Sequence, residues 1–279
     1  MKNDRKVSSK RMHKIIYLLL TILIILSLIY IIKYFLIKQE AKAQSNLLNA
    51  IEIYEKEKIN NEETQNFTKN EEVAEEKIEE EKQQTERMVQ VKQLKEQNAD
   101  IVGWLEIENT NINYPVLQGA DNRYYMTHNY KKEKSKNGSI FLNADYNWNI
   151  PSNNLLMYGH NLGNGMMFQE LLKYEKESFY KEHPIIRFTT IDEDAEYEII
   201  SVFKSRVYYK SEKNVFRYYY FINSESEEEY NQFISNAKNA SLYSIDATAS
   251  FGDQLITLST CSYYVEDGRF AVIGRKIQK

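Results

Sequence analysis

The chain has 279 residues, 36 of them basic and 40 acidic, which gives a formal net charge of −4. This near-neutral charge argues against a nucleic-acid-binding protein, and a single cysteine excludes an internal disulfide framework and a cysteine-cluster metal site. With 27% charged and 42% hydrophobic residues, the chain is neither wholly disordered nor a multi-span membrane protein. All nine glycines lie at Gly103 or beyond, so a turn-rich folded domain is expected to begin near residue 100.

Residues 15–37 form an apolar segment that follows a basic tail, residues 1–14. The 18 residues from 15 to 32 carry no charge, and at about 1.5 Å each they span about 27 Å, close to the thickness of a bilayer core. The tail has six basic residues and one acidic residue, so the positive-inside rule places it in the cytoplasm. We therefore expect a single-pass signal anchor in the cell membrane, with the rest of the chain outside the cell. A signal peptide cleaved after residues 41–43 (Ala-Lys-Ala) is the alternative, although the apolar run is longer than usual for one.

Residues 38–87 are predicted to form an acidic extracellular stalk. The stretch 40–100 has no Gly or Pro and carries 16 acidic and 9 basic residues. These residue types favour helix, but the sparse apolar positions keep no heptad, which indicates a solvated spacer rather than a coiled coil. The last turns, residues 86–98, are expected to dock on the folded domain as an amphipathic helix.

Residues 88–279 are predicted to form the folded domain, which is mainly β. Six runs of β-branched and aromatic residues predict strands, at 138–142, 155–158, 185–189, 197–203, 254–258 and 270–273. Two segments predict helices, at 166–174 and 224–239, and Ser224 with Glu227 predicts a capping box at the start of the second. Several strands with few helices between them favour a mainly antiparallel barrel.

Cys261 is the only candidate thiol nucleophile, and it ends an apolar strand run, Thr257-Leu-Ser-Thr-Cys261. A lone cysteine is more often a buried structural residue, but outside the cell an unpaired thiol is exposed to oxidation. A nucleophilic cysteine needs a base, and His160 follows a predicted strand directly, which favours it over His128 in a polar stretch. Of the other two histidines, His13 lies on the cytoplasmic side of the expected anchor and His183 precedes a proline.

Acyl chemistry also requires donors for a developing oxyanion. Arg269 begins the strand after Cys261, and in a hairpin the two residues are expected to face each other at its open end. An arginine there has donors for an oxyanion or a substrate carbonyl. The alternative is a surface arginine paired with Glu266 or Asp267.

At these residues the sequence resembles the sortase family. The motifs are T-L-S-T-C at 257–261, Y-G-H-N at 158–161 and the downstream Arg269, in the order His, Cys, Arg. The resemblance extends to N-G-S-I-F-L at 137–142 and S-F-Y-K-E-H-P at 178–184. The helix before the cysteine strand and the helical lead-in are similar to those of class B sortases.

The resemblance implies a closed eight-stranded sortase barrel and a calcium-independent cysteine transpeptidase without a cofactor or metal. Such an enzyme cleaves the sorting signal of a surface protein, of the form N-P-x-T-[G/N], after its Thr. A thioacyl intermediate forms on the cysteine, and an amine of a peptidoglycan precursor resolves it. The protein is thereby joined to the wall of a Gram-positive bacterium.

Carried over by position, Cys261 is the nucleophile, His160 the general acid and base, and Arg269 the stabiliser of substrate and oxyanion. The expected substrate-binding residues are Ser259, Thr260 and Ser262, with the Ser262 backbone N–H as an oxyanion donor. The family's substrate-contacting asparagine has no secure counterpart, and Thr127 or Asn129 occupies that region.

Other functions remain open from sequence alone. A pilin-polymerising sortase would use a lysine side chain as acceptor, and a non-enzymatic stalked surface module would hold an inert thiol. A papain-like peptidase places Cys before His, the reverse of this chain. An L,D-transpeptidase usually has His-Gly directly before its cysteine, where this chain has Ser-Thr.

Overall fold

The computed structural model describes Ile31 and residues 72–278, apart from positions 151 and 164. Residues 72–278 form three α-helices, eight strands and three 3-10 helices. The helices are α1 (Glu72–Gln97), α2 (Glu177–Glu182) and α3 (Glu227–Ala240). The strands are β1 (Ile101–Glu106), β2 (Asn113–Leu117), β3 (Ile140–Leu142), β4 (Asn154–Gly159), β5 (Ile185–Thr189), β6 (Asp194–Arg206), β7 (Leu255–Cys261) and β8 (Gly268–Lys276).

The eight strands close into a barrel in the order β1-β2-β3-β4-β7-β8-β6-β5. The β2–β3 and β4–β7 pairs are parallel, and the other neighbouring pairs are antiparallel. The predicted closed, mainly antiparallel eight-stranded barrel is therefore confirmed. The parallel β4–β7 pair needs a long crossover, and this crossover contains β5, β6 and α3. It brings residue 159 beside residue 260, about a hundred positions later in the chain.

Two apolar clusters of the domain meet at Tyr158. One joins α3 and the aromatic segment 216–222 to β6, β7 and β8, with Phe203, Tyr218 and Phe233 among its members. The other joins the end of α1 to β1–β3. Tyr158 on β4 packs against both clusters, so this strand is held from two sides close to its C-terminal end.

Helix α1 docks on the barrel through its last turns, as predicted for residues 86–98. Val91 and Leu94 are fully buried. Arg87 donates from Nε and Nη2 to Asp194 Oδ2, at 3.0 and 2.6 Å. The helix runs without a break across residue 87, where we expected the stalk to give way to the folded domain.

The structure differs from the sequence-based prediction at several elements. Strands β1 and β2 were not predicted, because Gly103 and Pro115 are residues that usually interrupt strands. The segment predicted as a helix at 166–174 is a 3-10 helix at Phe168–Glu175. Its buried apolar residues Phe168, Leu171 and Tyr174 recur every third position, which matches three residues per turn.

The cap of α3 is also not where the sequence predicted it. The capping residue is Ser226, whose side chain accepts from the Glu229 backbone N–H at 3.2 Å. Ser224 instead bonds Asn153 Oδ1 through its backbone N–H and its hydroxyl. Both candidate pairs have the same Ser-x-x-Glu spacing, so the spacing alone does not choose between them.

Within the described residues, no helix is long and apolar enough to cross a bilayer. The tail predicted at 1–14 and the anchor predicted at 15–37 lie outside the described residues, except for Ile31. Most of the predicted stalk, residues 38–71, also lies outside them.

Candidate active site

Three neighbouring strands end at one rim of the barrel and bring the candidate residues together. Cys261 is the last residue of β7, and β4 runs parallel to it with Gly159 opposite Thr260. Continuing this register by one residue places His160 beside Cys261. A side chain at position 159 would collide with Ile140 and Phe168, so the glycine lets β4 approach its neighbours closely at the site.

Arg269 pairs directly with Cys261 across the antiparallel β7–β8 ladder. Directly opposed residues project to the same face of a sheet, with their Cβ atoms about 5 Å apart. The predicted facing of these two residues is thus confirmed. We expected the pair at the open end of the hairpin, which is wrong. The pair lies next to the connecting loop at 262–267, because β7 ends at Cys261 and β8 begins at Gly268.

The three side chains line one cavity of about 250 Å³. Cys261, His160 and Arg269 are all partly exposed, so a ligand in the cavity can reach each of them. We refer to this space as the β7-end cavity, lined by Asn122, Met126, Phe141, Tyr158, Gly159, His160, Ser259, Thr260, Cys261 and Arg269.

Of the histidines in the described part of the chain, only His160 lines the β7-end cavity. Its Nε2 lies 2.7 Å from the backbone carbonyl oxygen of Met126. His128 stacks on the ring of Tyr124, with ring centroids 4.0 Å apart, and His183 lies 3.0 Å from the Glu108 carbonyl oxygen. The choice of His160 from its position after a strand therefore agrees with the geometry.

The guanidinium of Arg269 is held by the loop that precedes it. Its Nη1 donates to the carbonyl oxygens of Asp267 and Gly268, at 3.2 and 2.9 Å. An arginine has five N–H donors, so Nε and Nη2 retain donors for a ligand in the cavity. Within the described residues Arg269 forms no ion pair, so the alternative of pairing with Glu266 or Asp267 is not observed.

The residues flanking Cys261 have distinct contacts. The Ser259 hydroxyl lies 2.7 Å from the Tyr218 hydroxyl, and Thr260 Oγ1 donates to the Gly159 carbonyl at 2.8 Å. Both line the β7-end cavity, but both are buried and already bonded. Ser262 does not line it, and its backbone N–H donates to the Gly268 carbonyl at 2.9 Å. The expected oxyanion role of this N–H is therefore not supported, because the hairpin already uses the donor.

The asparagine that lines the cavity is Asn122, which the sequence analysis did not single out. Its Oδ1 accepts from the Ala144 backbone N–H at 2.8 Å. Neither Thr127 nor Asn129 lines the cavity, and Asn129 Oδ1 accepts from the backbone N–H groups of Lys131 and Glu133. A loop asparagine carries no periodic signal, so only the folded chain distinguishes these positions.

Two phenols lie near the Arg269 guanidinium: Tyr158 lines the cavity with it, and Tyr218 bonds the lining residue Ser259. Burial raises the pKa of Tyr158 and of Tyr218 above the ordinary value of a tyrosine. The positive charge of Arg269 lowers the pKa of both phenols and so opposes the effect of burial. In the described part of the chain, no group of three or more His, Cys, Asp or Glu residues is arranged to hold a metal ion.

Comparison with known proteins agrees with this site. The family model of the sortase domain matches residues 105–277. Over 194 residues the chain is 34% identical to sortase B of Listeria monocytogenes. This match covers 68% of this chain and 75% of the relative. The chain belongs to the class B sortases. Sortase B of Staphylococcus aureus is 33% identical over 191 residues, with the same two coverages.

Solved structures show the same fold as this sortase. The crystal structure of Staphylococcus aureus sortase B has a TM-score of 0.61 at 32% identity, and the match covers 68% of this sortase and 87% of that chain. A sortase B–substrate complex from the same organism has a TM-score of 0.61 at 29% identity, covering 75% and 99%. The sortase is thus a cysteine transpeptidase of the kind that anchors proteins to the cell wall.

Proposed function

We propose that this sortase is anchored in the cell membrane and cleaves a C-terminal sorting signal of the form N-P-x-T-[G/N] after its Thr. It then joins the protein to an amine of a peptidoglycan precursor. The observation that carries the acyl-transfer chemistry of this proposal is the meeting of Cys261, His160 and Arg269 in the β7-end cavity. The family membership and the partial exposure of Cys261 argue against a non-enzymatic module with an inert thiol.

In the first half-reaction, the Cys261 thiolate attacks the Thr carbonyl carbon of the signal. The negative oxygen that forms accepts hydrogen bonds from the Arg269 donors that the loop leaves unused. The tetrahedral intermediate then expels the amine of the next residue, which takes a proton from the His160 imidazolium. A thioester between Cys261 and the Thr carbonyl remains.

In the second half-reaction, neutral His160 accepts a proton from the incoming amine. The amine attacks the thioester carbonyl, and the oxyanion again lies beside Arg269. Collapse of this intermediate releases the Cys261 thiolate and forms the new amide bond. His160 is left as the imidazolium, so the enzyme is ready for another turnover and no net proton is gained or lost.

Turnover of a peptide containing N-P-x-T tests the chemistry. We expect the full-length wild-type chain to cleave the peptide after Thr and the Cys261→Ala variant to show no turnover with an unchanged melting temperature. Turnover near the wild-type rate in Cys261→Ala would exclude the mechanism. Offering a peptidoglycan stem peptide and a lysine-containing pilin peptide as competing acceptors identifies the amine, and exclusive transfer to the lysine would assign the pilin-polymerising activity instead.

The membrane topology has a separate test, because Cys261 is the only cysteine of the chain. A thiol reagent that does not cross membranes should label the chain on intact cells, and the Cys261→Ala variant should stay unlabelled. Labelling only after the cells are lysed would contradict an extracellular catalytic domain.

A further inference from the structure

The contact between His160 and Met126 determines which imidazole nitrogen carries the resident proton. His160 Nε2 lies 2.7 Å from the Met126 carbonyl oxygen. A backbone carbonyl only accepts hydrogen bonds, so Nε2 must be the donor and must carry a hydrogen. In the neutral ring the other nitrogen, Nδ1, then holds the lone pair.

We propose that the Met126 carbonyl is a positioning group that keeps a proton on His160 Nε2 and leaves Nδ1 as the nitrogen that exchanges protons with the substrate. This inference rests on the acid–base role of His160 proposed above. The Nδ1–H of the imidazolium gives its proton to the leaving amine, and Nδ1 takes one from the incoming amine. The Nε2 proton stays in place throughout the cycle.

The turn that carries the Met126 carbonyl is itself held by the segment at 137–139, whose sequence the site does not otherwise use. Gly138 has a φ of +59°, and a Cβ there would lie 2.6 Å from the Tyr125 oxygen and 2.7 Å from the Met126 oxygen. Only glycine combines this backbone conformation with such a close approach. Ser139 bonds both sides of the same turn. Its N–H donates to the Tyr125 carbonyl at 2.8 Å, and its hydroxyl donates to the His128 carbonyl at 2.9 Å.

These contacts connect a loop to the reacting centre. Gly138 and Ser139 fix the peptide groups of the turn at 125–128, and the Met126 carbonyl in this turn fixes the imidazole. A backbone acceptor orients a histidine as a carboxylate does in other acid–base sites, but it adds no charge. His160 is thus oriented by a residue 34 positions away in the chain.

The tautomer is measurable without substrate. The full-length chain labelled with ¹⁵N-histidine contains four histidines, and His→Gln variants assign their signals. Magic-angle-spinning ¹⁵N NMR of the neutral ring, recognised by one protonated and one unprotonated nitrogen signal, should show His160 protonated at Nε2 and unprotonated at Nδ1. A ring protonated at Nδ1 would overturn the proposal. Because this measurement needs no turnover, it tests the tautomer separately from the transpeptidase reaction.

Gly138→Ala tests the chain of contacts, and Gly252→Ala is its matched control. Gly252 also has a positive φ, +101°, but a Cβ there would meet nothing within 4 Å. We expect Gly138→Ala to lower kcat by up to about 100-fold with little change in KM, and to make the two ¹⁵N shifts of His160 converge. Gly252→Ala should change neither.

Ser139→Ala is a milder variant that keeps the test decisive if Gly138→Ala does not fold. It removes one hydrogen bond of the turn, so we expect a smaller fall in kcat and a partial convergence of the ¹⁵N shifts. Wild-type shifts and kcat in every variant that folds would show that the turn does not position His160.

Discussion

The side-chain amide of Asn161 donates a hydrogen bond of 3.0 Å to the backbone carbonyl of Cys261. The hydroxyl of Tyr263 returns a bond of 2.9 Å to the Asn161 carbonyl. These two bonds join the segment after β4, which carries His160, to the segment after β7. The spacing between the imidazole and the thiol is therefore fixed by residues within two positions of His160 and Cys261.

We expect Asn161→Ala to lower kcat by about 10- to 100-fold, because the buried amide no longer holds the two segments together. Tyr263→Phe removes only the outer bond and should have a smaller effect. Steady-state kinetics with the N-P-x-T peptide measures both variants, and melting temperatures exclude unfolding. A wild-type kcat for Asn161→Ala would contradict a positioning role for this bond.

His160→Ala should reduce kcat by about 100- to 10,000-fold, the range typical for loss of a general acid and base. The control is His128→Ala, because His128 stacks on Tyr124 outside the β7-end cavity. Its activity should fall far less than that of His160→Ala, because the His128 backbone carbonyl that bonds Ser139 is retained. Equal losses in the two variants would mean that the wrong histidine has been assigned.

Arg269→Lys should be nearly as damaging as Arg269→Ala. The loop carbonyls of Asp267 and Gly268 hold one guanidinium nitrogen while other N–H groups remain for the substrate, and a lysine ammonium does not reproduce this fork. The exposed Arg123 is a control, and Arg123→Lys should have wild-type kinetics. Full kcat/KM in Arg269→Lys would show that a point charge suffices.

The ion pairs of Asp194 make the attachment of α1 dependent on pH. Burial alone would raise the pKa of this carboxyl, but hydrogen bonds from Arg87 and Thr189 and the charges of Arg87 and Arg187 lower it overall. Because the folded-state pKa lies below the unfolded value, the stabilisation is present at neutral pH and is lost as pH falls through the folded pKa.

Asp194→Asn should therefore destabilise the fold at pH 7 by about 1–3 kcal/mol and should flatten the fall in stability below about pH 4. Denaturant unfolding across this pH range measures both effects. Asp192→Asn is the matched control, since Asp192 is an exposed carboxyl in the same turn. An unchanged acid limb in Asp194→Asn would assign the pH dependence to other carboxyl groups.

The parts of the site that were predictable from sequence depend on residues close together in the chain or at the end of a predicted strand. Cys261 and Arg269 are separated by one loop, so a hairpin forces them together, and the end of a strand indicated His160. The partners of these residues were not predictable, because they come from distant loops. Met126 and Asn122 lie between β2 and β3 in the chain, far from Cys261 in sequence, and no periodicity marks them.

The fold shows the same division between local and tertiary effects. Strands rich in β-branched residues were found correctly, since propensity and burial agree in them. Strand β2 contains Pro115 and is nevertheless buried, because pairing with β1 and β3 outweighs the local preference. At α3, Asn153 bonds Ser224, and the helix begins at the next serine of the same spacing.

The docking of α1 on Asp194 also bears on how a shortened form of this protein should be designed. A recombinant fragment beginning at residue 88 would lack Arg87, which binds the Asp194 carboxylate, and Gln84, which donates to its backbone oxygen at 3.1 Å. This truncation would leave the buried Asp194 carboxylate with fewer partners at the interface between α1 and the barrel. A fragment that starts a few turns earlier retains both anchoring side chains and is the better candidate for crystallisation.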